Sequence, residues 1–217
     1  MQLKRCLMIT GGSIDMDFAG KLLKNQIFGL TIGVDAGVKQ AAKLGIALDM
    51  AVGDFDTLGE ENIKKYDIKH VMKLCPQKDE TDTEAAVHYI LSQHPEEVWI
   101  LGATGGRMDH TLANIHLLAC FAGSGVQAWI FDANNKISMI DRDCVIKKDS
   151  YYGKYFSFLP YTENVTGLSL RGFAYPLENA DISIHRAQSL GISNEFLDET
   201  AEIKIKSGMI IAIQSRD

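Results

Sequence analysis

The stretch Leu48-Asp49-Met50-Ala51-Val52-Gly53-Asp54-Phe55-Asp56-Thr57 places a mainly apolar run directly before a glycine and two aspartates. A short apolar run that ends in turn residues is typical of a buried strand, so the aspartates follow its carboxyl end. Along an extended chain, alternation puts the Asp54 and Asp56 carboxylates on one side and Phe55 on the other. Ligands of open α/β sheets bind at this edge, although a turn or a helix cap would also explain the aspartates.

The same pattern continues on both sides of this stretch, from residue 1 to about residue 132. Strand patterns occupy residues 5–10, 28–34, 48–52, 69–73, 97–102 and 126–131, and helical patterns occupy residues 15–25, 36–44, 58–66, 82–94 and 110–122. Strands that alternate with helices predict a mostly parallel sheet with helices on both faces. Thr81-x-x-Glu84 is a capping box that predicts the start of the fourth helix. In the last helix, Leu112, Ile115, Ala119 and Ala122 form the predicted buried stripe.

The pattern changes near residue 135, where strand-like runs follow one another without helices. These runs are Ile137–Ile140, Cys144–Lys147, Lys154–Leu159, Val165–Leu170, Ala201–Lys206 and Met209–Ile213. Ser207-Gly208 between the last two runs predicts a hairpin. The sequence therefore predicts an α/β N-terminal domain, residues 1–134, and an antiparallel all-β C-terminal domain, residues 135–217.

The composition of the 217-residue chain, with 46% apolar and 23% charged residues, is ordinary for a soluble globular protein. A net charge of −6 without a long basic run argues against a general nucleic-acid surface. No apolar stretch approaches the roughly 20 residues that a membrane helix needs. Cys6, Cys75, Cys120 and Cys144 are far apart and form no Cys-x-x-Cys motif, as expected in a reducing cytoplasm.

A second acidic pair, Asp79 and Asp82, lies where the capping box starts a helix. Carboxylates at strand ends hold hard cations such as Mg²⁺, and Lys78 between the pairs could supply a point charge for phosphate. Asp35 also ends a strand and is expected at the same edge. The alternative for Asp79 and Asp82 is a favourable interaction with the helix dipole, worth about 0.3–1 kcal/mol each.

The loop Gly102-Ala103-Thr104-Gly105-Gly106-Arg107-Met108-Asp109-His110 joins a predicted strand to a predicted helix. Glycine loops at helix starts bind phosphates, but a tight turn needs glycine with or without a ligand. No Gly-Lys-Ser/Thr follows, so the loop is not a Walker A motif. Its continuation favours a phosphate site, because Arg107 can bind phosphate through two hydrogen bonds. Asp109 can cap the helix or contact a metal-associated water.

Seven stretches together resemble the thiamine pyrophosphokinase family over nearly the whole chain. They are Val34–Gly37, Gly53–Thr57, Lys78–Ala85, Gly102–Asn114, Phe158–Pro160, Gly172–Leu177 and Gly191–Phe196. The resemblance implies an α/β nucleotide domain joined to a β-sandwich domain. It also implies a cytoplasmic homodimer whose active site lies between the α/β domain of one chain and the β domain of the other.

The resemblance further implies transfer of the pyrophosphoryl group of ATP to the thiamine hydroxyl, which gives thiamine diphosphate and AMP. By the same resemblance, Mg²⁺ and the phosphate chain would be bound by Asp54, Asp56, Asp79 and Asp82, with Asp35 joining them or orienting the hydroxyl. Lys78 and Arg107 would stabilise charge on the transferring group. Thr104, Gly105, Asp109 and Asn114 would shape the nucleotide pocket, and Ser193 and Asn194 would contact the thiamine pyrimidine. Tyr175, where some relatives have tryptophan, would supply any aromatic stacking.

Two other functions are compatible with these motifs. A Mg²⁺-dependent nucleotide pyrophosphohydrolase would use water as the acceptor, and its AMP release would not depend on thiamine. A non-catalytic nucleotide or thiamine sensor would be marked by loss of the acidic pairs, yet Asp54, Asp56, Asp79 and Asp82 are all present. Neither alternative involves nucleic acid or a membrane.

Overall fold

The computed structural model describes residues 4–55, 63, 65–66, 68–75, 80–186 and 188–217. The chain divides into two compact units, Met1–Ala133 and Asn134–Asp217, which we name the α/β unit and the β unit. The division lies one residue before the predicted domain boundary. Most of the predicted helix at residues 58–66 lies outside the described residues. Within the described ranges, no helix has the length and apolar character needed to cross a membrane.

The α/β unit contains a parallel sheet, which confirms the prediction. Its strands are β1 (Arg5–Ile9), β2 (Leu30–Val34), β3 (Leu48–Gly53), β4 (Ile68–Lys73), β5 (Glu97–Leu101) and β6 (Gln127–Phe131). They lie in the order β6-β5-β1-β2-β3-β4, and every neighbouring pair is parallel. The described helices are α1 (Met16–Leu23), α2 (Gly37–Lys43), α3 (Asp82–Ser92) and α4 (Met108–Gly123).

Local sequence explains where these elements begin. Asp15 caps α1 by accepting a hydrogen bond from Phe18 N at 2.9 Å. Thr81 caps α3 in the same way, accepting from Glu84 N at 3.1 Å, which confirms the predicted helix start. At the start of α2, a Cβ on Gly37 would lie 2.0 Å from the carbonyl oxygen of Ile9. Glycine therefore lets α2 begin directly against the carboxyl end of β1.

The β unit contains two antiparallel groups of four strands that share one hydrophobic core, which is the β sandwich that the family resemblance implies. Its strands are β7 (Asn135–Ile140), β8 (Cys144–Lys147), β9 (Tyr155–Pro160), β10 (Asn164–Arg171), β11 (Leu177–Ser183), β12 (Asn194–Glu195), β13 (Thr200–Lys204) and β14 (Ile210–Ser215). The strands pair in the order β12-β9-β14-β7 in one group and β11-β10-β13-β8 in the other, all antiparallel. Phe156, Phe158, Leu170, Ile203 and Ile210 are at most 1% exposed in the shared core.

The predicted hairpin at Ser207-Gly208 is wrong, because β13 and β14 lie in different sheets. Strand β13 pairs with β8 and β10, whereas β14 pairs with β7 and β9. Gly208 has a φ of 92°, and a Cβ there would lie 2.4 Å from the carbonyl oxygen of Asn164. Glycine therefore allows the chain to pass close to β10 as it crosses from one sheet to the other. Alternation predicted both strands but could not identify their partners.

Candidate active site

Three carboxylates converge at the carboxyl edge of the parallel sheet. Asp35 follows β2, Asp54 follows β3 and Asp82 is the first residue of α3. One oxygen of each lies within 4.8 Å of those of the other two. Strands β2 and β3 pair with Val34 opposite Val52, so their carboxyl ends meet at the same height. Sheet register therefore brings Asp35 and Asp54 together, and the capped start of α3 adds Asp82.

The backbone at this edge departs from an extended chain. Asp35 and Phe55 have φ values of 46° and 59°, in the left-handed region. The expected extended arrangement is therefore wrong at Phe55, whose side chain is buried, with 2% exposure. The lack of a side chain at Gly53 leaves room for the Asp35 carboxylate, because a Cβ at residue 53 would lie 2.0 Å from Oδ1 of Asp35.

The three carboxylates form a suitable donor set for a divalent cation. Carboxylates this close repel one another unless a cation or a proton lies between them. Mg²⁺ binds through one or two carboxylates together with water and substrate phosphate oxygens. Among the described residues, this is the one group of three or more His, Cys, Asp or Glu side chains with the spacing of a metal site. The predicted ligands Asp56 and Asp79, and Lys78, lie outside the described residues.

A cleft with a volume of about 610 Å³ adjoins the carboxylates. Two glycine-containing loops form much of its wall, one after β1 and one after β5. Gly12 N donates to Gly102 O at 2.8 Å, and Ser13 N donates to Thr104 O at 3.1 Å. A Cβ on Gly12 would lie 2.2 Å from Gly102 O, so the two loops can approach this closely only with glycine at residue 12.

Side chains of the predicted nucleotide pocket stabilise the second loop. Thr104 Oγ1 donates to Asp132 Oδ2 at 3.1 Å, and Asn114 Nδ2 donates to Ala103 O at 2.8 Å. Thr104, Gly105 and Asn114 all line the cleft. The structure therefore brings these three predicted residues together with Asp35, and it gives Thr104 and Asn114 a role in holding the loop.

Arg107 and Asp109 are paired with each other at the start of α4. Arg107 donates through Nε to Asp109 Oδ1 at 3.2 Å and through Nη2 to Oδ2 at 2.5 Å. The hydrogen bond from Arg107, with a second from His110 N, lowers the pKa of Asp109 to about 2. Both side chains are largely exposed, at 73% and 65%. Arg107 also lines the cleft, so its guanidinium is available to a ligand there.

The residues predicted to contact thiamine lie together in the β unit. Asn194 is 2% exposed and forms hydrogen bonds with the backbone N and O of Tyr175, which is itself 68% exposed. Ser193 has a φ of 57°, and its backbone N donates to Ser157 Oγ at 3.0 Å. The structure thus groups Tyr175, Ser193 and Asn194, but it makes Asn194 a buried neighbour of Tyr175.

Several cleft residues were not identified from the sequence. They are Thr10, Gln40, Thr83 and Thr111. Gln40 donates from Nε2 to Gly12 O at 3.5 Å, and within the described part of the chain its buried Oε1 accepts no hydrogen bond. A polar residue between the buried Val38 and Ala41 of α2 was the available signal for Gln40. For the others the signal was position, since each lies beside the end of a strand or the start of a helix.

Comparison with known proteins gives a consistent result. The family model "Thiamin pyrophosphokinase, catalytic domain" matches residues 20–130, and "Thiamin pyrophosphokinase, vitamin B1 binding domain" matches residues 143–210. A thiamine pyrophosphokinase of Bacillus subtilis is 35% identical over 193 residues, which cover 87% of this chain and 88% of the relative.

Solved structures agree with these matches. A crystal structure of thiamine pyrophosphokinase from Bacillus subtilis superposes with a TM-score of 0.84 at 32% identity, covering 99% of this chain and 100% of that one. A thiamin pyrophosphokinase family protein from Enterococcus faecalis has a TM-score of 0.81 at 30% identity, again covering 99% of this chain and 100% of the other.

Proposed function

The chain belongs to the thiamine pyrophosphokinase family, and we propose that this enzyme uses Mg²⁺ and ATP to convert thiamine into thiamine diphosphate. The observation that carries the proposal is the group Asp35, Asp54 and Asp82 beside a cleft bounded by two glycine loops. These features occur within the stretch that matches the catalytic domain of the family or directly beside it. They supply the two requirements of phosphoryl-type transfer, which are a metal site and a phosphate site.

In the proposed reaction, the thiamine hydroxyl oxygen forms a bond to the β-phosphorus of ATP. The bond between the β-phosphorus and the oxygen bridging to the α-phosphate breaks, and AMP leaves with that oxygen. The hydroxyl proton is released to solvent water as the new bond forms. Asp35 is the proposed residue to orient this hydroxyl, because its side chain lines the cleft and belongs to the carboxylate group. Positioning and electrostatic stabilisation can supply most of the acceleration in such a transfer.

The carboxylates fit the Mg²⁺ ion that this reaction requires. Asp54 and Asp82 would hold it, together with Asp56 and Asp79, and Asp35 is close enough to join them. A bound Mg²⁺ would neutralise charge on the phosphate oxygens. The hard oxygen donors of the group match the ligand preference of Mg²⁺ and argue against a soft transition metal.

Positive charge for the phosphate chain would come from Arg107 and Lys78. Arg107 lines the cleft and is 73% exposed. Its contact with Asp109 orients the guanidinium before a ligand arrives. Backbone N–H groups at the start of α4 would add favourable interactions with an anion. The nucleotide would therefore lie along the loop that contains Thr104 and Gly105.

Thiamine would bind through the β unit, in which residues 143–210 match the vitamin B1 binding domain. Tyr175 offers an exposed aromatic face, and Ser193, which precedes Asn194 in the chain, is also exposed. We propose a homodimer in which these residues complete the site formed by the carboxylates of the partner subunit. A symmetric dimer would then contain two equivalent sites. We also propose a cytoplasmic location, which the free state of Cys6, Cys75, Cys120 and Cys144 supports.

The decisive experiment measures all products of the purified protein incubated with Mg²⁺, ATP and thiamine. We expect AMP and thiamine diphosphate in equal amounts, and no AMP when thiamine or Mg²⁺ is omitted. ADP with thiamine monophosphate would exclude pyrophosphoryl transfer as the reaction. AMP release without thiamine would favour the pyrophosphohydrolase, and binding without turnover would favour the sensor.

A further inference from the structure

The segment around Tyr175 is held by the segment around Asn194 through two kinds of pairing. Phe173 and Phe196 form an antiparallel bridge, and Ala174 N donates to Glu195 O at 2.9 Å. At the next position the side chain of Asn194 replaces the backbone as the partner. Its Oδ1 accepts from Tyr175 N at 2.9 Å, and its Nδ2 donates to Tyr175 O at 2.8 Å. The amide of Asn194 therefore extends the pairing by one residue.

Hydrogen bonds within the protein use almost all of the donor and acceptor capacity of the Asn194 amide. Oδ1 also accepts from Glu195 N at 2.9 Å, so both of its lone pairs have backbone donors. Asn194 as a whole is only 2% exposed. A primary amide has two donor hydrogens, of which one is directed to Tyr175 O. Asn194 is thus built as part of the protein scaffold and presents almost no surface to a ligand.

Tyr175, in contrast to Asn194, is exposed: hydrogen bonds hold its backbone, while its ring is open to solvent. It precedes Pro176, which restricts its backbone to extended conformations. The residue is 68% exposed, and its ring makes no aromatic or cation–π contact with the described residues of the chain. A large aromatic group held at its backbone and open at its face loses little conformational freedom when a ligand stacks on it. Its face also attracts a cation, and the thiazolium ring of thiamine is cationic.

We propose that Asn194 is a positioning residue that binds thiamine through Tyr175: its side-chain amide fixes the backbone of Tyr175 so that the phenol ring meets the cationic heteroaromatic substrate. This inference rests on the proposed function and changes the role that the sequence predicted for Asn194 from direct contact to indirect support.

A double-mutant cycle with Asn194→Asp and Tyr175→Ala tests the proposal. Asp at residue 194 keeps an acceptor for the two N–H groups but cannot donate to Tyr175 O, and its charge repels that carbonyl. With saturating MgATP, each single change is expected to raise KM for thiamine about tenfold, the scale of a lost cation–aromatic contact. KM for ATP should stay within about twofold. Once the ring is absent, Asn194→Asp should change KM for thiamine by less than about twofold.

Direct contact between Asn194 and thiamine would give the other result, with the two effects multiplying to about a hundredfold in the double variant. Asn164→Asp is the matched control, because it adds the same charge at an exposed asparagine of the β unit, and it should leave KM unchanged. Thermal unfolding of every variant establishes that it is folded. If no substitution of Asn194 folds, the amide is a purely structural element and the proposal is overturned.

A second measurement needs no substrate and therefore stands apart from the test of the proposed function. With 3-fluorotyrosine incorporated, the ¹⁹F resonance of Tyr175 is identified by its loss in Tyr175→Phe. In Asn194→Asp this resonance should narrow and shift, because the backbone that carries the ring becomes mobile. An unchanged resonance in the folded variant would show that Asn194 does not position Tyr175.

Discussion

The carboxylate of Asp35 occupies the space that a side chain on residue 53 would need, since a Cβ built on Gly53 would lie 2.0 Å from Oδ1 of Asp35. The glycine comes from β3 and the aspartate follows β2, so the contact joins two neighbouring strands. Gly53 also has a φ of 156°, at the border of the region that favours glycine. The position of one carboxylate of the metal site thus depends on a missing side chain.

Gly53→Ala is therefore expected to disturb the site more than the fold. The methyl group would force the short Asp35 side chain to rotate away from Asp54 and Asp82. We expect Mg²⁺-dependent turnover to fall at least about tenfold, with a loss of stability of about 1–3 kcal/mol from the tight packing. The measurements are activity against Mg²⁺ concentration and urea unfolding. Gly20→Ala in α1 is the control, because nothing lies within 4 Å of a Cβ there, and wild-type Mg²⁺ dependence in Gly53→Ala would contradict the prediction.

Asp54→Asn should abolish turnover while leaving the metal-free protein as stable as the wild type or slightly more stable. Removing one of three charges within 4.8 Å relieves repulsion in the absence of Mg²⁺. Thermal unfolding with and without Mg²⁺ measures the effect. Mg²⁺ should raise the Tm of the wild type, because it binds only the folded state, and should raise that of Asp54→Asn much less.

Glu163→Gln, which removes an exposed carboxylate from the β unit, is the control for Asp54→Asn and should retain the wild-type response to Mg²⁺. Near wild-type activity of Asp54→Asn at low Mg²⁺ would show instead that this aspartate is only a turn residue.

The Arg107–Asp109 pair predicts a specific pH dependence. The pKa of Asp109 is lowered to about 2, chiefly by the hydrogen bond from Arg107. A lowered folded-state pKa stabilises the protein above the ordinary value of about 3.9, and this contribution is lost as pH falls towards 2. Arg107→Gln should therefore return the pKa of Asp109 towards about 3.9. A carboxyl ¹³C NMR titration measures it, and an unchanged pKa would exclude Arg107 as the cause.

Complementation between two defective chains tests the proposed shared site. Asp54→Asn damages the carboxylate group, and Tyr175→Arg places a cation where cationic thiamine would bind. In a heterodimer of the two variants, one site would be intact and the other would carry both defects. Co-expressed at equal levels, they should give about a quarter of wild-type sites, assuming random symmetric pairing. Isolation through two different tags separates the heterodimer, and its complete inactivity would place each site within one chain.

Sequence reasoning was most successful where local signals and burial agree. The strand–helix alternation and the Thr81 cap are properties of short segments, and both are confirmed. It placed Asp35 and Asp54 at one edge, because parallel strands carry their carboxyl ends together. It did not foresee the buried amide of Asn194, since that contact joins segments separated along the chain.

The errors arise where the hydrophobic pattern is compatible with several buried faces of a helix or several pairing partners of a strand. In α4, the predicted stripe included Leu112, which is 52% exposed, whereas the buried face contains Leu118 and Phe121. Strand β11 was missed because its ladder with β10 contains register shifts and Asn179 has a φ of 50°. Irregular pairing of this kind weakens the alternation by which a strand is found in sequence.

The position of β1 between β5 and β2 has a consequence for synthesis on the ribosome. Strands β1 to β4 can pair in the order in which they emerge, but Cys6 of β1 must wait for Val98 of β5. Gly12 likewise waits for Gly102 before the two loops join. At 5–20 residues per second, this delay lasts several seconds. During it, the growing chain exposes one unpaired edge of the mainly apolar strand β1, and an unpaired strand edge of this kind can pair with other chains until β5 covers it.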